Sequence, residues 1–251
     1  MHREATDLAG VRTISYETLG STNAEALARA RAGERGPLWI TATVQSAGRG
    51  RRGNAWVSTP GNLFATLLLT EPSDPGVAPQ LSFVAALALH DAVAECVPQV
   101  GPLLKVKWPN DLLLGRAKLA GILIEAENDP VFALAIGLGV NCAAHPSDTP
   151  YPATDLAAYG ALVTPERMLG VLSGAMLKRL DIWQRGQGFP RVRSDWLKRA
   201  AGLGQDIRVR LPERELSGRF EGLDDMGRLL LQAEGRVTPV TAGEVFDLGS
   251  H

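Results

Sequence analysis

Three arginines lie close together in the glycine-rich segment Gly48-Arg49-Gly50-Arg51-Arg52-Gly53. Glycine lets a backbone approach a ligand closely, and guanidinium groups match the geometry of carboxylates and phosphates. Trp56 follows shortly after and offers an aromatic surface on which a ring could pack. We interpret this segment as a clamp for an anionic ligand, and the alternatives are a solvated basic loop and a nucleic-acid contact.

The same segment matches the bare pattern G-x-G-x-x-G of dinucleotide-binding proteins, but its surroundings do not fit. A Rossmann loop opens a helix and is followed about 20 residues later by an acidic residue. Here Pro60-Gly61 follows soon after, and the nearest acidic residue, Glu71, lies in a predicted turn. Because no Walker P-loop pattern occurs either, the sequence predicts neither of these nucleotide folds.

A second candidate site is the segment Lys107-Trp108-Pro109-Asn110-Asp111, which follows a predicted strand. By itself, Pro-Asn-Asp is most often a turn. A hairpin folded at Gly115-Arg116 would place Asp111 opposite Ala120, and two residues of strand span only ~7 Å. We therefore expect Lys118 to reach the amide and carboxylate of this segment, and the alternative is a solvated lysine at a sheet edge.

Two further segments carry polar residues at the ends of predicted elements. Gly137-Leu138-Gly139-Val140-Asn141 ends an apolar run, and its glycines would let a ligand approach while Asn141 contacts a ribose or an adenine. Ser21-Thr22-Asn23 precedes a predicted helix, and Thr22 with Glu25 matches a capping box. The sequence therefore predicts Thr22 as the residue that caps this helix.

The elements that would position these residues follow from periodicity and turn residues. Short connections favour an antiparallel meander over residues 103–140, and alternating runs from 206 onward predict a small β barrel. The predicted domains are residues 1–202 and 203–251. The predicted strands are Leu38–Gln45, Asn62–Thr70, Leu103–Lys107, Leu112–Ile124 folded at 115–116, and Val131–Val140, and the predicted helices cover 22–33, 78–96, 164–183 and 192–200.

Composition excludes several classes of protein. The 26 basic and 27 acidic residues nearly cancel, so no overall field attracts nucleic acid or a membrane surface. Cys96 and Cys142 lie in or beside apolar runs, which is typical of reduced cytosolic thiols. Residues 1–10 lack the apolar core of a signal peptide, and Leu81–Val97 is interrupted by polar residues. We expect a cytoplasmic protein without a membrane span.

Taken together and in this order, five motifs resemble the signature set of bacterial biotin protein ligases. The resemblance implies an α+β fold, in which a mixed, largely antiparallel sheet with flanking helices forms a class II synthetase-like catalytic domain followed by an SH3-like β barrel. Some family members carry an N-terminal DNA-binding domain, whereas here only about twenty residues precede the first motif, so we expect no nucleic-acid partner. The motifs are STN at 21–23, GRGRRG at 48–53 with Trp56, KWPND at 107–111, KLAGIL at 118–123 and GLGVN at 137–141.

The resemblance also implies roles for residues of these motifs. Lys118, Arg51 and Asp111 would act in catalysis, and Mg²⁺ would accompany the triphosphate without a fixed protein site. Biotin would contact Ser21, Thr22, Asn23, Gln45, Arg49, Gly50, Arg51, Lys118 and Gly121. ATP would contact Arg51, Arg52, Trp56, Asn110, Asp111, Lys118 and Asn141.

The implied activity is ATP-dependent conversion of biotin to biotinoyl-5′-AMP, followed by transfer to a lysine of the biotin carboxyl carrier protein of biotin-dependent carboxylases. The alternatives are a lipoate or octanoate transferase and a non-catalytic biotin sensor. Asn54 stands where the family commonly has arginine, which puts one phosphate contact in question. A monomer and a homodimer are both compatible with the sequence, the dimer through the edge strand of the meander.

Overall fold

The computed structural model describes residues 2–8 and 10–247, which form one eight-stranded sheet, four α-helices and a five-stranded C-terminal sheet. The strands are β1 (His2–Leu8), β2 (Val11–Leu19), β3 (Leu38–Gln45), β4 (Leu63–Thr70), β5 (Leu104–Lys107), β6 (Asp111–Leu114), β7 (Ala117–Asn128), β8 (Phe132–Val140), β9 (Asp206–Arg210), β10 (Glu215–Leu223), β11 (Leu229–Ala233), β12 (Arg236–Val240) and β13 (Glu244–Asp247). The helices are α1 (Thr22–Arg31), α2 (Leu81–Cys96), α3 (Pro165–Trp183) and α4 (Phe189–Leu197).

The large sheet has the order β1-β2-β3-β4-β8-β7-β6-β5. Its β2–β3 pair is parallel and its other pairs are antiparallel, which confirms the expected mixed, largely antiparallel sheet. Strands β5 to β8 form the predicted meander. The sequence reasoning missed β1 and β2, because the apolar residues Val11, Ile14 and Leu19 of β2 do not keep the two-residue period of a strand.

The two faces of the sheet are covered differently. On one face, Leu38, Ile40 and Leu68 pack against α1 through Ala26 and Ala30. On the opposite face, alternating residues join a larger core with helices α2, α3 and α4. Segment Pro75–Cys96 is long and apolar enough to span a membrane by length and composition, but 67% of its most apolar window is buried inside the protein. Helix α2 is therefore a core helix.

Helix α1 begins one residue away from the expected cap. Ser21, not Thr22, is the N-cap residue, and its hydroxyl accepts from the backbone N–H of Ala24 at 3.5 Å. The prediction was wrong because serine and threonine are both favourable caps and stand side by side here. Glu25 instead accepts hydrogen bonds from Tyr16 and Arg29, and Thr22 turns toward the site described below.

The β6–β7 hairpin turns at residues 115–116 as expected, but its register contains an irregularity. Asp111 pairs with Gly121 rather than with Ala120, because the register shifts between Leu112 and Leu113.

Strand β5 is the last strand of the sheet, and its outer edge is already bonded, since Val106 exchanges backbone hydrogen bonds with Arg199 and Ala201. A dimer formed through this edge would have to displace that segment.

The C-terminal strands form an open sheet with the order β12-β11-β10-β9-β13. No ladder joins β12 to β13 in the part of the chain that the structure describes, so the expected barrel is not closed, and Leu248 of the last predicted run lies outside that part. This sheet packs against the larger part of the protein at Gly227, whose carbonyl accepts from the Trp108 indole at 3.3 Å. A Cβ on Gly227 would lie only 2.6 Å from Phe83.

One guanidinium joins the three helices of the larger core. Arg179 of α3 donates to Asp91 of α2 at 2.7 Å and to Asp195 of α4 at 3.0 Å. Burial acts to raise the pKa of both carboxyls, but hydrogen bonds and nearby cations outweigh it and lower the pKa overall. Helix α4 begins at Phe189, earlier than the predicted Val192, and this brings Asp195 into its middle.

Replacing Arg179 should destabilise the helix layer. Arg179→Met keeps an apolar stem but leaves two carboxylates without their shared partner, so the free energy of unfolding should fall by roughly 2–3 kcal/mol. Lys178→Met, at an exposed position of the same helix, is the matched control and should change stability little. Urea unfolding of both variants measures the difference.

The same contacts predict a pH dependence. Because the folded pKa of Asp91 and Asp195 is lowered, their contribution is present above the unfolded value of ~3.9 and is lost as the pH falls through the folded value. Arg179→Met should therefore lose less stability than the wild type as the pH falls below about 4. Parallel pH profiles for the two proteins would contradict this assignment.

Candidate functional site

One cleft on the α1 side of the large sheet gathers almost all of the predicted site residues. Between its walls lies about 910 Å³ of empty space, part of which is open to solvent. Asn141 is the exception, because its buried amide donates to the Thr154 carbonyl at 2.9 Å and does not line the cleft. The predicted residues that line it are Ser21, Thr22, Asn23, Gln45, Arg49, Gly50, Arg51, Arg52, Trp56, Asn110, Asp111, Lys118 and Gly121.

Glycines make the floor of this cleft flat. Gly121 of β7 and Gly139 of β8 are cross-strand partners, so two adjacent positions of the sheet lack side chains. The Trp56 indole lies on this floor, and a Cβ would come within 2.9 Å of it at Gly121 and within 2.6 Å at Gly139. The indole N–H of Trp56 is buried and has no hydrogen-bond partner. The floor therefore accommodates a flat ring.

The first turn of α1 forms a polar end of the cleft. Gln45 accepts from the Thr22 backbone N–H at 2.9 Å and from its hydroxyl at 3.1 Å. Asn23 accepts from Thr66 at 2.7 Å and donates to Glu125 at 2.9 Å. These bonds fix the carboxamide orientations of Gln45 and Asn23, so this end presents preorganised donors and acceptors to a ligand.

The basic loop is anchored at three points. Arg49 forms an ion pair with Glu125 of β7 at 3.1 Å. Arg51 donates to the backbone carbonyl of Gly243 at 3.2 Å, and Arg52 donates to the carbonyl of Arg210 at 3.3 Å. The last two acceptors belong to the C-terminal sheet, so that sheet helps to hold the loop over the cleft. Burial and the charge of Arg52 lower the pKa of Arg51.

Asp111 lies between two lysines at the opposite wall. Its Oδ1 is 2.8 Å from Lys118 Nζ, and its Oδ2 is 3.5 Å from Lys107 Nζ. Burial acts to lower the pKa of Lys118, but attraction to Asp111 outweighs it and the pKa is raised. The predicted proximity of Lys118 and Asp111 is confirmed, whereas the alternative of a solvated edge lysine is wrong, because only 15% of the Lys118 side chain is exposed.

Several lining residues were missed by sequence reasoning, among them one lysine, one tyrosine and two residues near the C-terminus. Lys107 is the first residue of the KWPND motif, but we predicted no role for it. Its place in that motif, directly before Trp108, is the signal that could have identified it. Tyr151 comes from the loop after β8, and its ring lies 5.1 Å from Lys118 Nζ. Gly243 directly precedes β13, and Glu244 is the first residue of that strand. No local pattern near residue 243 signals this long-range contact.

The charge of the cleft determines what it can bind. Five basic side chains line it, Arg49, Arg51, Arg52, Lys107 and Lys118, against the two carboxylates Asp111 and Glu244. This excess favours a ligand with several negative charges.

Burial raises the pKa of Cys142 to about 12, so this cysteine is not a nucleophile. Within residues 2–8 and 10–247, no group of three or more histidine, cysteine or acidic side chains is placed to hold a metal ion.

The chain matches two family models. One, described as the biotin/lipoate A/B protein ligase family, covers residues 20–141, and the other, described as the biotin protein ligase C terminal domain, covers residues 202–246. The biotin–[acetyl-CoA-carboxylase] ligase of Paracoccus denitrificans is 43% identical over 90% of this chain and 96% of its own length. The bifunctional ligase/repressor BirA of Bacillus subtilis is 32% identical over 96% of this chain and 75% of its own length.

Solved structures show the same fold. The biotin protein ligase from Aquifex aeolicus in complex with biotin and ATP superimposes with a TM-score of 0.79 at 24% identity, covering 93% of this chain and 97% of that one. The ligase from Leishmania major in complex with biotinyl-5-AMP superimposes with a TM-score of 0.66 at 26% identity, covering 91% of this chain and 98% of that one.

The glycine floor can be tested by adding one methyl group. Gly139→Ala would force the Cβ against Trp56, and we expect a loss of about 1–3 kcal/mol in the free energy of unfolding. Gly170→Ala on α3 is the control, because a Cβ there meets no atom within 4 Å, and it should stabilise by up to ~1 kcal/mol. Chemical denaturation compares them, and equal stability of both variants would contradict the close packing of Trp56.

Proposed function

Because the chain belongs to the biotin protein ligase family, we propose that it activates biotin with ATP to biotinoyl-5′-AMP and transfers the biotinoyl group to a lysine of a biotin carboxyl carrier protein. The observation that carries this proposal is the meeting, in one cleft, of a polar pocket at the start of α1, a flat glycine floor and five basic side chains. Such a cleft suits a small neutral ring system that ends in a carboxylate, next to a triphosphate.

In this proposal, biotin occupies the end of the cleft near α1. The fixed amide of Gln45 and the hydroxyl groups of the Ser21-Thr22-Asn23 segment suit hydrogen bonds to a polar ring. Gly121 leaves room for the Trp56 indole beside the ligand. Arg49, Gly50, Arg51 and Lys118 line the part of the cleft that we propose for the carboxylate. The ion pair of Arg49 with Glu125 keeps that guanidinium near the polar end before a ligand arrives.

ATP occupies the opposite part of the cleft. Arg51, Arg52 and Lys118 suit the phosphates, and Trp56, Asn110 and Asp111 complete this part. Asn141 supports the wall from behind through its bond to Thr154, so its proposed contribution to the ATP site is indirect. Asn54 lines the cleft where the family commonly has arginine, and the neighbouring Arg52 is the residue best placed to compensate. Mg²⁺, when bound to the triphosphate, offsets part of its charge.

The first chemical step brings two anions together. A biotin carboxylate oxygen attacks the α-phosphorus of ATP, the bond to the pyrophosphate oxygen breaks, and pyrophosphate leaves with the electron pair. Arg51 and Lys118 lower the repulsion and stabilise charge that develops on the phosphoryl oxygens. Asp111 contributes by holding Lys118 in position through the 2.8 Å ion pair. This step therefore depends on positioning and charge stabilisation rather than on an enzyme nucleophile.

In the second step, the amine of a carrier lysine attacks the carbonyl carbon of the mixed anhydride and AMP leaves. The names of two relatives indicate the carrier protein of acetyl-CoA carboxylase as the acceptor. We also propose a cytoplasmic location. We further propose residues 1–202 as the catalytic domain and residues 203–251 as a smaller domain that supports it.

The reaction class is tested by isotope exchange. Purified protein with ATP, Mg²⁺ and labelled pyrophosphate should form labelled ATP only when biotin is present. Lipoate and octanoate are the matched controls, since the family model that matches residues 20–141 also covers lipoate enzymes. Exchange supported equally well by lipoate, or by neither acid, would contradict the proposal.

Lys118 should assist the adenylation step more than biotin binding. A contact that strengthens as charge develops affects the rate constant, whereas a ground-state contact affects the KM. Lys118→Ala should slow single-turnover formation of biotinoyl-5′-AMP by about 10²- to 10³-fold. Lys105→Ala, at an exposed position of β5, is the control and should react at the wild-type rate. If Lys118→Ala only raises the KM for biotin, the role assigned to Lys118 is wrong.

A further inference from the structure

Glu244 is an unexpected carboxylate in a cleft that binds anions. The other lining carboxylate, Asp111, forms ion pairs with Lys118 and Lys107. No ion pair joins Glu244 to any basic side chain that the structure describes, although its charge acts on both Arg51 and Lys118. Glu244 offsets part of the charge of these two cations without forming an ion pair with either, and it would weaken ATP binding, so its place in the cleft requires a further explanation.

The second half of the reaction supplies a reason for a negative group in this cleft. The acceptor lysine is an ammonium ion in solution, and the five basic side chains repel it. In addition, the lysine nitrogen becomes strongly acidic as it bonds to the anhydride carbon and must release a proton. A free carboxylate near the carbonyl carbon meets both needs, because it attracts the cation and accepts the proton.

Glu244 lies where an acceptor protein would reach the cleft. A second, wider and largely apolar groove adjoins the cleft, and Arg51, Arg52 and Asn110 line both. Residues 241–242 line the groove, and the chain then enters the cleft at Gly243 and Glu244. The side chain of Glu244 is therefore at the junction through which a lysine side chain of another protein can enter.

The backbone around Glu244 is held firmly. The carbonyl of Gly243 accepts from Arg51, and a Cβ on Gly243 would lie 2.7 Å from Val209, so the chain packs tightly there. Glu244 pairs in register with Arg210, whose carbonyl accepts from Arg52. The C-terminal sheet thus fixes Glu244 relative to the same arginines that suit the adenylate phosphate.

We propose that Glu244 is a catalytic residue of the transfer step, in which its carboxylate receives the acceptor lysine and accepts a proton from its nitrogen. The proposal rests on the biotin ligase function stated above. The lysine first releases one proton to solvent. Its lone pair then forms the bond to the anhydride carbon, a second proton passes from nitrogen to the Glu244 carboxylate, and the carbon–oxygen bond breaks as AMP takes the electron pair. The products are an amide, AMP and protonated Glu244, which solvent deprotonates.

The test separates transfer from adenylation. Adenylate is formed on the enzyme, freed of excess ATP, and mixed with a saturating recombinant biotin carboxyl carrier domain or with hydroxylamine, which is small and uncharged near neutral pH. For Glu244→Gln, we expect transfer to the carrier lysine to slow by about 10²-fold. Biotin-dependent pyrophosphate exchange involves no amine and should stay within about threefold of the wild-type rate. Cleavage of the adenylate by hydroxylamine should also stay within about threefold, because hydroxylamine carries no charge that Glu244 would attract and its weakly basic nitrogen, once bonded to the carbonyl carbon, loses its proton readily to water.

Glu213→Gln is the matched control, since Glu213 is an exposed glutamate of the same sheet region and does not line the cleft. It should transfer biotin at the wild-type rate. Unchanged carrier transfer by Glu244→Gln would overturn the proposal. A parallel loss of exchange, hydroxylamine cleavage and carrier transfer would also overturn it, because that result assigns Glu244 to support of Arg51. Failure of the wild type to exchange pyrophosphate would instead contradict the ligase function itself.

Discussion

Mutual repulsion among basic side chains is the constraint on which the active site depends. Five cations converge in one cleft, and each needs a partner before any ligand arrives. Two carboxylates form ion pairs with three of them, since Glu125 pairs with Arg49 and Asp111 is shared by two lysines. The two remaining arginines bind backbone carbonyls of the C-terminal sheet. The chain therefore preorganises charge for a polyanion with few carboxylates in the site, and most of the cationic excess remains available to the ligand.

The flat floor is the second requirement, and it explains why glycines occur within two long strands. Glycine weakens a strand, so paired glycines at positions 121 and 139 carry a cost in stability. The strands tolerate it because β7 and β8 are paired over nearly their full lengths and lie in the centre of the sheet. The same pairing keeps Trp56 on a rigid surface, which connects the strand register to the position of the basic loop.

Much of this site could be predicted because its contacts are local or belong to one hairpin. The approach of Lys118 to Asp111 follows from a turn at 115–116, although the register irregularity at residues 112–113 has no signal in the sequence. The cap at Ser21 was misassigned since two equivalent hydroxyl residues are adjacent. The presence of Gly243 and Glu244 in the cleft could not be predicted, because it depends on how the C-terminal sheet packs against the rest of the protein. Hydrophobic periodicity indicates only which face of a single helix or strand is buried. We expected the C-terminal strands to close into a barrel, but they form an open sheet. The alternation of apolar and polar residues predicts strands, but it does not reveal whether the two edge strands pair with each other.

The loop arginines are anchored by main-chain oxygens rather than by side chains of the C-terminal sheet. Any residue type supplies the same carbonyl, so the side chain at 210 is free to diversify between species without loosening the loop. What must be kept is the position of the backbone, for example through the tightly packed Gly243. The side-chain types of the neighbouring residues matter much less for this contact. The side chains around both carbonyls can therefore change while the loop stays anchored, as long as the backbone at residues 210 and 243 keeps its position.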